Sequence, residues 1–168
     1  MYRIPSIALH VVAVVTNTAP IGVTRVGLHR GEAVVGNFGG ENRIQYTALG
    51  DSMNTAARLE SANKALESSI MASREFAEAS GLTWWRQMGR VQLRGRARPV
   101  DLFEPAPDFP EADRAPLAEA SALAAAGDRA GALRLAQEVA RRHPDDSALR
   151  NLLKRMQDAD EGGTYVLG

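Results

Sequence analysis

A mixed helix-and-sheet fold is what this 168-residue chain predicts, and three observations predict it. Before Pro105, short stretches of alternating Val, Leu and Ile are separated by glycine turns, which is strand-and-turn patterning. Between these stretches, segments beginning near Asp51 and Ser73 carry apolar residues at helical spacing. After Pro105 the strands vanish and alanine dominates. Alternating strands and helices leave an α/β or an α+β sheet domain open. Composition agrees with a globular chain: 45% of residues are apolar and 24% charged. Twenty Lys and Arg balance twenty Asp and Glu, so no net field recruits nucleic acid or anionic lipid. The absence of cysteine excludes disulfides, thiolate metal sites and cysteine nucleophiles, and fits a reducing compartment.

The elements follow in order. The longest apolar run, Ile7 to Val15, is interrupted by His10 and falls well short of the roughly 20 residues that span a bilayer. With Arg3 ahead of it, the run resembles a weak signal peptide. However, Asn17-Thr18-Ala19 is followed by Pro20, which fits cleavage poorly. A β-strand and a cytoplasmic protein are the expectation. Val23 to His29 and Glu32 to Phe38 alternate around Arg30-Gly31 and predict a β-hairpin, and Gly39-Gly40 turns the chain into a third strand, Arg43 to Leu49. Gly50 breaks that strand, and Asp51 or Ser52 is expected to cap a helix running to about Glu67. A short strand from Ser68 to Met71 precedes a second helix, capped by Ser73 and ending at Ser80. Strands at Thr83–Leu93 and Val100–Phe103 flank a turn from Arg94 to Pro99. Pro105, Pro107 and Pro110 read as a stiff linker to helices at Glu111–Ala126, Arg129–Arg142 and Ser147–Asp158. Ala132, Ala136 and Val139 share one face of the middle helix, as close helix packing requires. Tyr165-Val166-Leu167 is expected to pack back on the body.

The densest chemistry lies between Tyr46 and Arg58. Asn54 and Arg58 are four apart, so on a helix they point to one place, within the first two turns where free amides and the helix dipole favour an anion. An amide that orients a hydroxyl and a guanidinium that grips phosphate oxygens suit phosphoryl chemistry. Spacing alone is better satisfied by a polar helix face in water. His10, His29 and His143 form no ligand-spaced cluster and predict structural or surface roles, and Trp84-Trp85 predicts one core ring beside one partly exposed ring.

From Tyr46 to Glu60 the chain resembles the signature Y-T-x-x-G-D-x-x-N-x-A-A-R-L-E of class III nucleotidyl cyclases, the adenylate and guanylate cyclases. Upstream, Arg25-Val26-Gly27-Leu28-His29 with Gly31 to Asn37 resembles that family's R-V-G-[IL]-H-x-G-x-x-V-x-G-N segment. Downstream, Leu93-Arg94-Gly95-Arg96 through Pro99-Val100 resembles its L-K-G-K-x-x-P-V hairpin. The resemblance implies an α+β fold, the ferredoxin-like cyclase catalytic domain with its first half missing, plus a small α-helical extension. It divides the chain into a non-matching segment 1–20, the carboxyl-terminal half of the catalytic domain at 21–105, and a tetratricopeptide-like extension at 106–168. The family reaction converts ATP to 3′,5′-cyclic AMP and pyrophosphate. By resemblance, Asn54 orients the ribose and Arg58 stabilises charge on the α-phosphate as the 3′-hydroxyl attacks. Thr47 touches the purine and favours ATP, while Arg25 and Arg94 hold the β- and γ-phosphates, Arg94 replacing the usual lysine. Without the family, Arg94 and its neighbours read as a solvated basic turn.

The family also uses Mg²⁺ or Mn²⁺, held by two aspartates in the part of the domain that precedes the R-V-G-[IL]-H strand. No Asp or Glu occurs from Met1 to Gly31, and no Lys precedes Lys64, so neither those metal ligands nor the purine-reading lysine of the family is present there. The metal residues of this chain are therefore none. Two readings follow: a truncated product whose upstream half lies elsewhere, or a partner subunit that completes the site of a metal-bearing second cyclase domain. A homodimer would not help, since neither copy would own a metal site. Gly127-Asp128, Ala132, Ala136, Val139 and Pro144 resemble one tetratricopeptide unit, and residues 160–167 weakly resemble the W-D-G-V-Y-V-[LM]-T tail of some membrane-tethered cyclases, without the tryptophan. The competing class is a non-catalytic interaction protein that binds its partner through these helices.

Overall fold

Gly27 sets the position of the first helix. The computed structural model describes residues 12–16, 24–40, 43–95 and 97–167; His10 lies outside the described residues. Gly27 is the central residue of strand β2 (Arg25–His29), against which helix α1 (Asp51–Leu66) packs. A Cβ at Gly27 would stand 2.0 Å from the Ala56 carbonyl oxygen and 2.4 Å from the Glu60 amide nitrogen, both backbone atoms of α1. Helix and strand therefore touch backbone to backbone. The buried Asn63 strengthens the contact by donating from Nδ2 to the Val26 carbonyl at 3.0 Å.

Around β2 a six-stranded sheet forms. Strand β1 (Val12–Thr16) runs antiparallel to it, with Val14 opposite Gly27, so the expected amino-terminal strand is present. On the other side β5 (Ile70–Ser73) runs parallel to β2, with Val26 opposite Ile70. Strands β6 (Trp85–Gln92) and β7 (Val100–Pro105) form the closing hairpin, and β7 pairs with β5. The far edge is β8 (Thr164–Val166), parallel to β6, giving the order β1-β2-β5-β7-β6-β8. The fold is α+β, with helix α2 (Arg74–Ala79) between β5 and β6.

The hairpin expected around Arg30-Gly31 is corrected. Both edges of β2 are occupied, by β1 and β5, so the strand after it must pair elsewhere. Strand β3 (Val34–Gly40) instead pairs with β4 (Arg43–Leu49) in a separate two-stranded ribbon, Val34 opposite Leu49. The intervening connection lies against the start of α1: a Cβ at Gly31 would meet Ser52 Oγ at 2.2 Å.

The capping expectations also change. The cap position of α1 is Gly50, at φ 151°, rather than Asp51 or Ser52, so no side chain caps the helix from that position. That backbone conformation disfavours a side chain, and a Cβ there would meet the Glu32 carbonyl at 3.2 Å. Ser73 precedes α2 without a capping bond, because its hydroxyl lies 2.7 Å from His29 Nδ1 and ties β5 to β2. The short strand starts at Ile70, two residues later than expected, since α1 ends through a left-handed Glu67 (φ 54°), with the Ser68 amide returning to the Asn63 carbonyl.

The proline segment, expected as a stiff linker, is fastened to the sheet. Pro105 ends β7 opposite Trp85, the Ala106 amide donates to the Trp84 carbonyl, and Phe109 is buried with the Arg86 guanidinium 4.8 Å from its ring centre. Arg86 in turn is paired with Glu104 at 2.6 Å and with Asp146. Helices α3 (Glu111–Ala125), α4 (Arg129–Arg142) and α5 (Ser147–Asp158) then extend one continuous core, in which Leu59 and Leu66 of α1 join Met88, Leu102, Leu117, Val139, Leu149 and Leu152. Ala132, Ala136 and Val139 are buried as the spacing of α4 predicts. Asp128 caps α4 through the Gly131 amide, and Asp146 caps α5 through the Leu149 amide. Trp85 packs edge-on against Phe76 and donates to Ser80 Oγ, while Trp84 stays partly exposed.

Two polar fastenings hold the helices. Arg155, buried in α5, donates to the Met88 carbonyl at 3.1 Å and to Asn151 Oδ1 at 2.8 Å; burial pushes its guanidinium down to about 10, so it is still charged at neutral pH. Asp113 of α3 lies 2.7 Å from His143 Nε2 and 2.6 Å from Arg142, and the hydrogen bond with His143 foremost, then Arg142, holds its carboxyl below the ordinary range. Burial opposes ionisation of Asp101 and Asp146. Hydrogen bonds from Arg90 and Arg74 to Asp101, and from Arg86 and the Leu149 amide to Asp146, outweigh it, and both carboxyls are lowered. A carboxyl lowered on folding stabilises the folded state above its unfolded pKa of about 3.9 and ceases to as pH falls through its folded value. Thermal melts should therefore be insensitive to these groups from pH 7 to about 5 and fall steeply below about 4. Asp113→Asn should melt lower than wild type at pH 7, and the gap should narrow in acid.

Candidate functional site

Helix α1 carries the expected pair. Gly50 starts it directly after β4, so Asn54 falls in its first turn and Arg58 one turn later, on a stripe continued by Ser61, Ala62 and Ala65. Arg58 is half-buried and lines an open cavity of about 390 Å³ together with Ser61, Ala62, Ala65, Leu93, Arg94 and Leu167. Two guanidinium-bearing residues from distant parts of the chain thus meet on one cavity: Arg58 from the helix, Arg94 from the turn between β6 and β7.

Gly95 makes that meeting possible. It has φ +73°, and a Cβ there would stand 3.2 Å from Arg58 Nη2, so the bare backbone of the turn lies directly against the guanidinium. Among the described residues neither Arg58 nor Arg94 is held in an ion pair. The rest of the lining is apolar except for Ser61, and low-polarity walls strengthen the attraction of two cations for an anion.

The other expected residues are placed differently. Asn54 is exposed on the same stripe but is not among the residues lining the cavity. Thr47 is exposed on β4, opposite Gly36, in the two-stranded ribbon. Arg25 opens β2, half-buried, with a buried Nε that has no hydrogen-bond partner among the described residues, and it does not line the cavity either. Leu93, Leu167, Ala62 and Ala65 also line the cavity, none of them proposed from sequence as a binding residue. The i, i+4, i+7 stripe through Arg58 was the signal for the two alanines, and the apolar ending Tyr165-Val166-Leu167, expected to pack back on the body, does so at Leu167, which is buried in the core.

A divalent cation does not fit this set. The cavity offers no carboxylate, and among the described residues no group of three or more His, Asp or Glu is placed to hold a metal ion. His29 and His143 are committed to Ser73 and Asp113, in the structural roles expected for them.

The structure is thus an α+β sheet whose first long helix brings Arg58 against the basic turn between β6 and β7. The family model described as "Adenylate and Guanylate cyclase catalytic domain" matches residues 1–103, more than half of the chain, and the chain belongs to that family. The match includes residues 1–20, where no family motif is legible. Among similar proteins, Adenylate cyclase 1 of Rhizobium meliloti is 42% identical over 82 residues, which is 48% of this chain and 12% of that protein. The terminal-differentiation-specific adenylate cyclase of Dictyostelium discoideum is 34% identical over 85 residues, 48% of this chain and 4% of that protein. The solved adenylyl cyclase CyaB of P. aeruginosa is 33% identical over 48% of this chain and 40% of that one, with a TM-score of 0.41. The chain thus spans a small fraction of the curated relatives it matches. Among the described residues no helix is long and apolar enough to cross a membrane.

Proposed function

We propose that this chain is the asparagine–arginine half of an adenylate cyclase catalytic domain, acting on ATP to form 3′,5′-cyclic AMP and pyrophosphate. The observation that carries the reading is the convergence of Arg58 and Arg94 on one cavity. In this reading the ribose 3′-oxygen attacks the α-phosphorus, its proton is lost, and pyrophosphate leaves. Arg58 stabilises the charge that grows on the α-phosphate oxygens, Asn54 orients the ribose, and Arg94 holds the terminal phosphates with Arg25. Thr47 contacts the purine. Among the described residues no group fits Mg²⁺ or Mn²⁺, so in this reading the ion is held by a metal-bearing part of the catalytic domain encoded upstream or by a second cyclase catalytic domain. Charge complementarity supports that division of labour: the cavity is cationic where a partner's site would be carboxylate-rich.

The two-stranded ribbon supports a paired arrangement. Val34 and Leu49 face each other across it and are 54% and 48% exposed, and Tyr46 is 69% exposed. Large apolar side chains grouped on one exposed ribbon mark a surface that another domain covers. We place residues 106–168 as a tetratricopeptide-like extension of a catalytic half at 21–105, in a cytoplasmic protein.

The test is complementation. The purified chain is mixed with a metal-competent cyclase domain whose own transition-state arginine has been removed, and cyclic AMP is measured. Restored synthesis supports the reading. No product at any ratio favours the second reading, a non-catalytic interaction protein. An observation that favours that second reading is a cavity of about 340 Å³ between α3, α4 and the carboxyl-terminal segment, lined by Ala124, Ala132, Met156 and Gly163 among others.

A further inference from the structure

The carboxyl-terminal strand reaches the cavity that the cyclase motifs build. Strand β8 lies parallel to β6, with Arg90, Val91 and Gln92 opposite Thr164, Tyr165 and Val166. The pairing continues one residue further, the Leu167 amide donating to the Gln92 carbonyl at 3.1 Å. The side chain of Leu167 is then buried and lines the Arg58–Arg94 cavity beside Leu93. Gln92 is the last residue of β6; Leu93 and Arg94 follow it directly. A second fastening acts on the same strand. β6 is irregular between Gln87 and Arg90, Gly89 takes φ +84°, and the Met88 carbonyl there is met by the buried Arg155 of α5.

From this juxtaposition we infer that residues 164–167 are a positioning strap for the anion cavity, with Leu167 as the positioning residue: by pairing with the end of β6 and packing beside Leu93, the strap holds Arg94 where it faces Arg58. The inference rests on the cyclase reading only for the identity of the anion. The physical reason for a strap lies in the turn itself. The turn carries the like charges of Arg94 and Arg98, both exposed, and a two-stranded turn carrying like charges would splay without a third strand on its open side. Leu167 supplies the apolar contact that keeps Leu93 buried and sets the direction in which the next residue leaves the sheet.

The experiment uses the full chain with Leu167→Ala, Leu167→Met and, as a control, Val166→Ser, whose side chain is 66% exposed. Amide hydrogen exchange of residues 91–95 and the Arg58 and Arg94 side-chain Nε–H resonances are read without ligand. Leu167→Ala should raise exchange at residues 91–95 about tenfold relative to residues 70–73 and move the Arg94 resonance. Leu167→Met should restore both, and Val166→Ser should leave both unchanged. Inorganic tripolyphosphate is then titrated calorimetrically, and Leu167→Ala should weaken its binding about tenfold or more. A Leu167→Ala protein with unchanged exchange at residues 91–95 and an unmoved Arg94 resonance overturns the strap. So does an equal rise in exchange throughout the sheet, which would mark general destabilisation. If wild type binds no tripolyphosphate while the ligand-free signature is as expected, the strap stands and the cyclase reading fails.

Discussion

Replacing Arg58 by alanine is expected to abolish cyclic AMP formation in the complementation mixture, lowering the rate by about a thousandfold or more. The magnitude follows from the role proposed for it. A group that meets charge as it develops in phosphoryl transfer contributes far more to the transition state than to the ground state, typically three to five orders of magnitude for an arginine in that position. The loss should appear in kcat with little change in KM for ATP. Arg58→Lys should recover only a small part, because a single ammonium cannot reproduce the planar fork of a guanidinium. The substitution should not unfold the chain, since Arg58 is half-buried and holds no ion pair among the described residues. An unchanged thermal melt beside lost product separates a chemical role from a structural one. Product formation within tenfold of wild type by a folded Arg58→Ala chain would end the proposal.

The second large effect is on the fold. Gly27→Ala is expected to lower the melting temperature by about 10 °C or to prevent folding, read by circular dichroism on heating. The added methyl would meet the Ala56 carbonyl at 2.0 Å and the Glu60 amide nitrogen at 2.4 Å. No rotamer change relieves that contact, because both atoms are helix backbone. Overpacking of this kind costs about 3 kcal/mol or more, and each kcal/mol is about 2–4 °C for a chain of this size. Any α1 that moves away to make room also carries Arg58 away from Gly95 and Arg94. A folded Gly27→Ala chain should therefore lose activity as well. Gly81→Ala is the contrast: its Cβ would meet nothing within 4 Å, so only the cost of its positive φ remains, about 1–2 kcal/mol. Equal melting of wild type and Gly27→Ala would show that α1 does not sit on β2 as described.

The elements and the candidate residues differ in how far they could be read ahead of the coordinates. Helix α4 was legible to its ends, because Asp128 offers a capping oxygen, Ala132, Ala136 and Val139 repeat at helical spacing, and His143-Pro144 stops the pattern. The β6–β7 hairpin and the site of Arg94 in its turn were legible for the same local reasons. The pairing of β2 was not. Alternation identifies a strand and its faces, but the identity of its neighbours depends on which other strands already occupy its edges. Ser73 likewise looked like a cap, and its hydroxyl went to His29, more than forty positions earlier in the chain.

What the order of residues determined by itself was chemical: a helix bearing an amide and a guanidinium one turn apart, a glycine hairpin carrying basic groups, and no acidic residue before Glu32. These are local matters of spacing and residue type, and local interactions decide them. Only the tertiary structure decided that Arg58 and Arg94 share a cavity while Thr47 and Arg25 lie off it, and that Leu167, from the far end of the chain, completes its wall. Such convergence depends on how strands order themselves and how closely backbones approach. Those are set by the summed packing of a core that draws on α1, the sheet and the last three helices at once, and no short stretch of sequence encodes that sum.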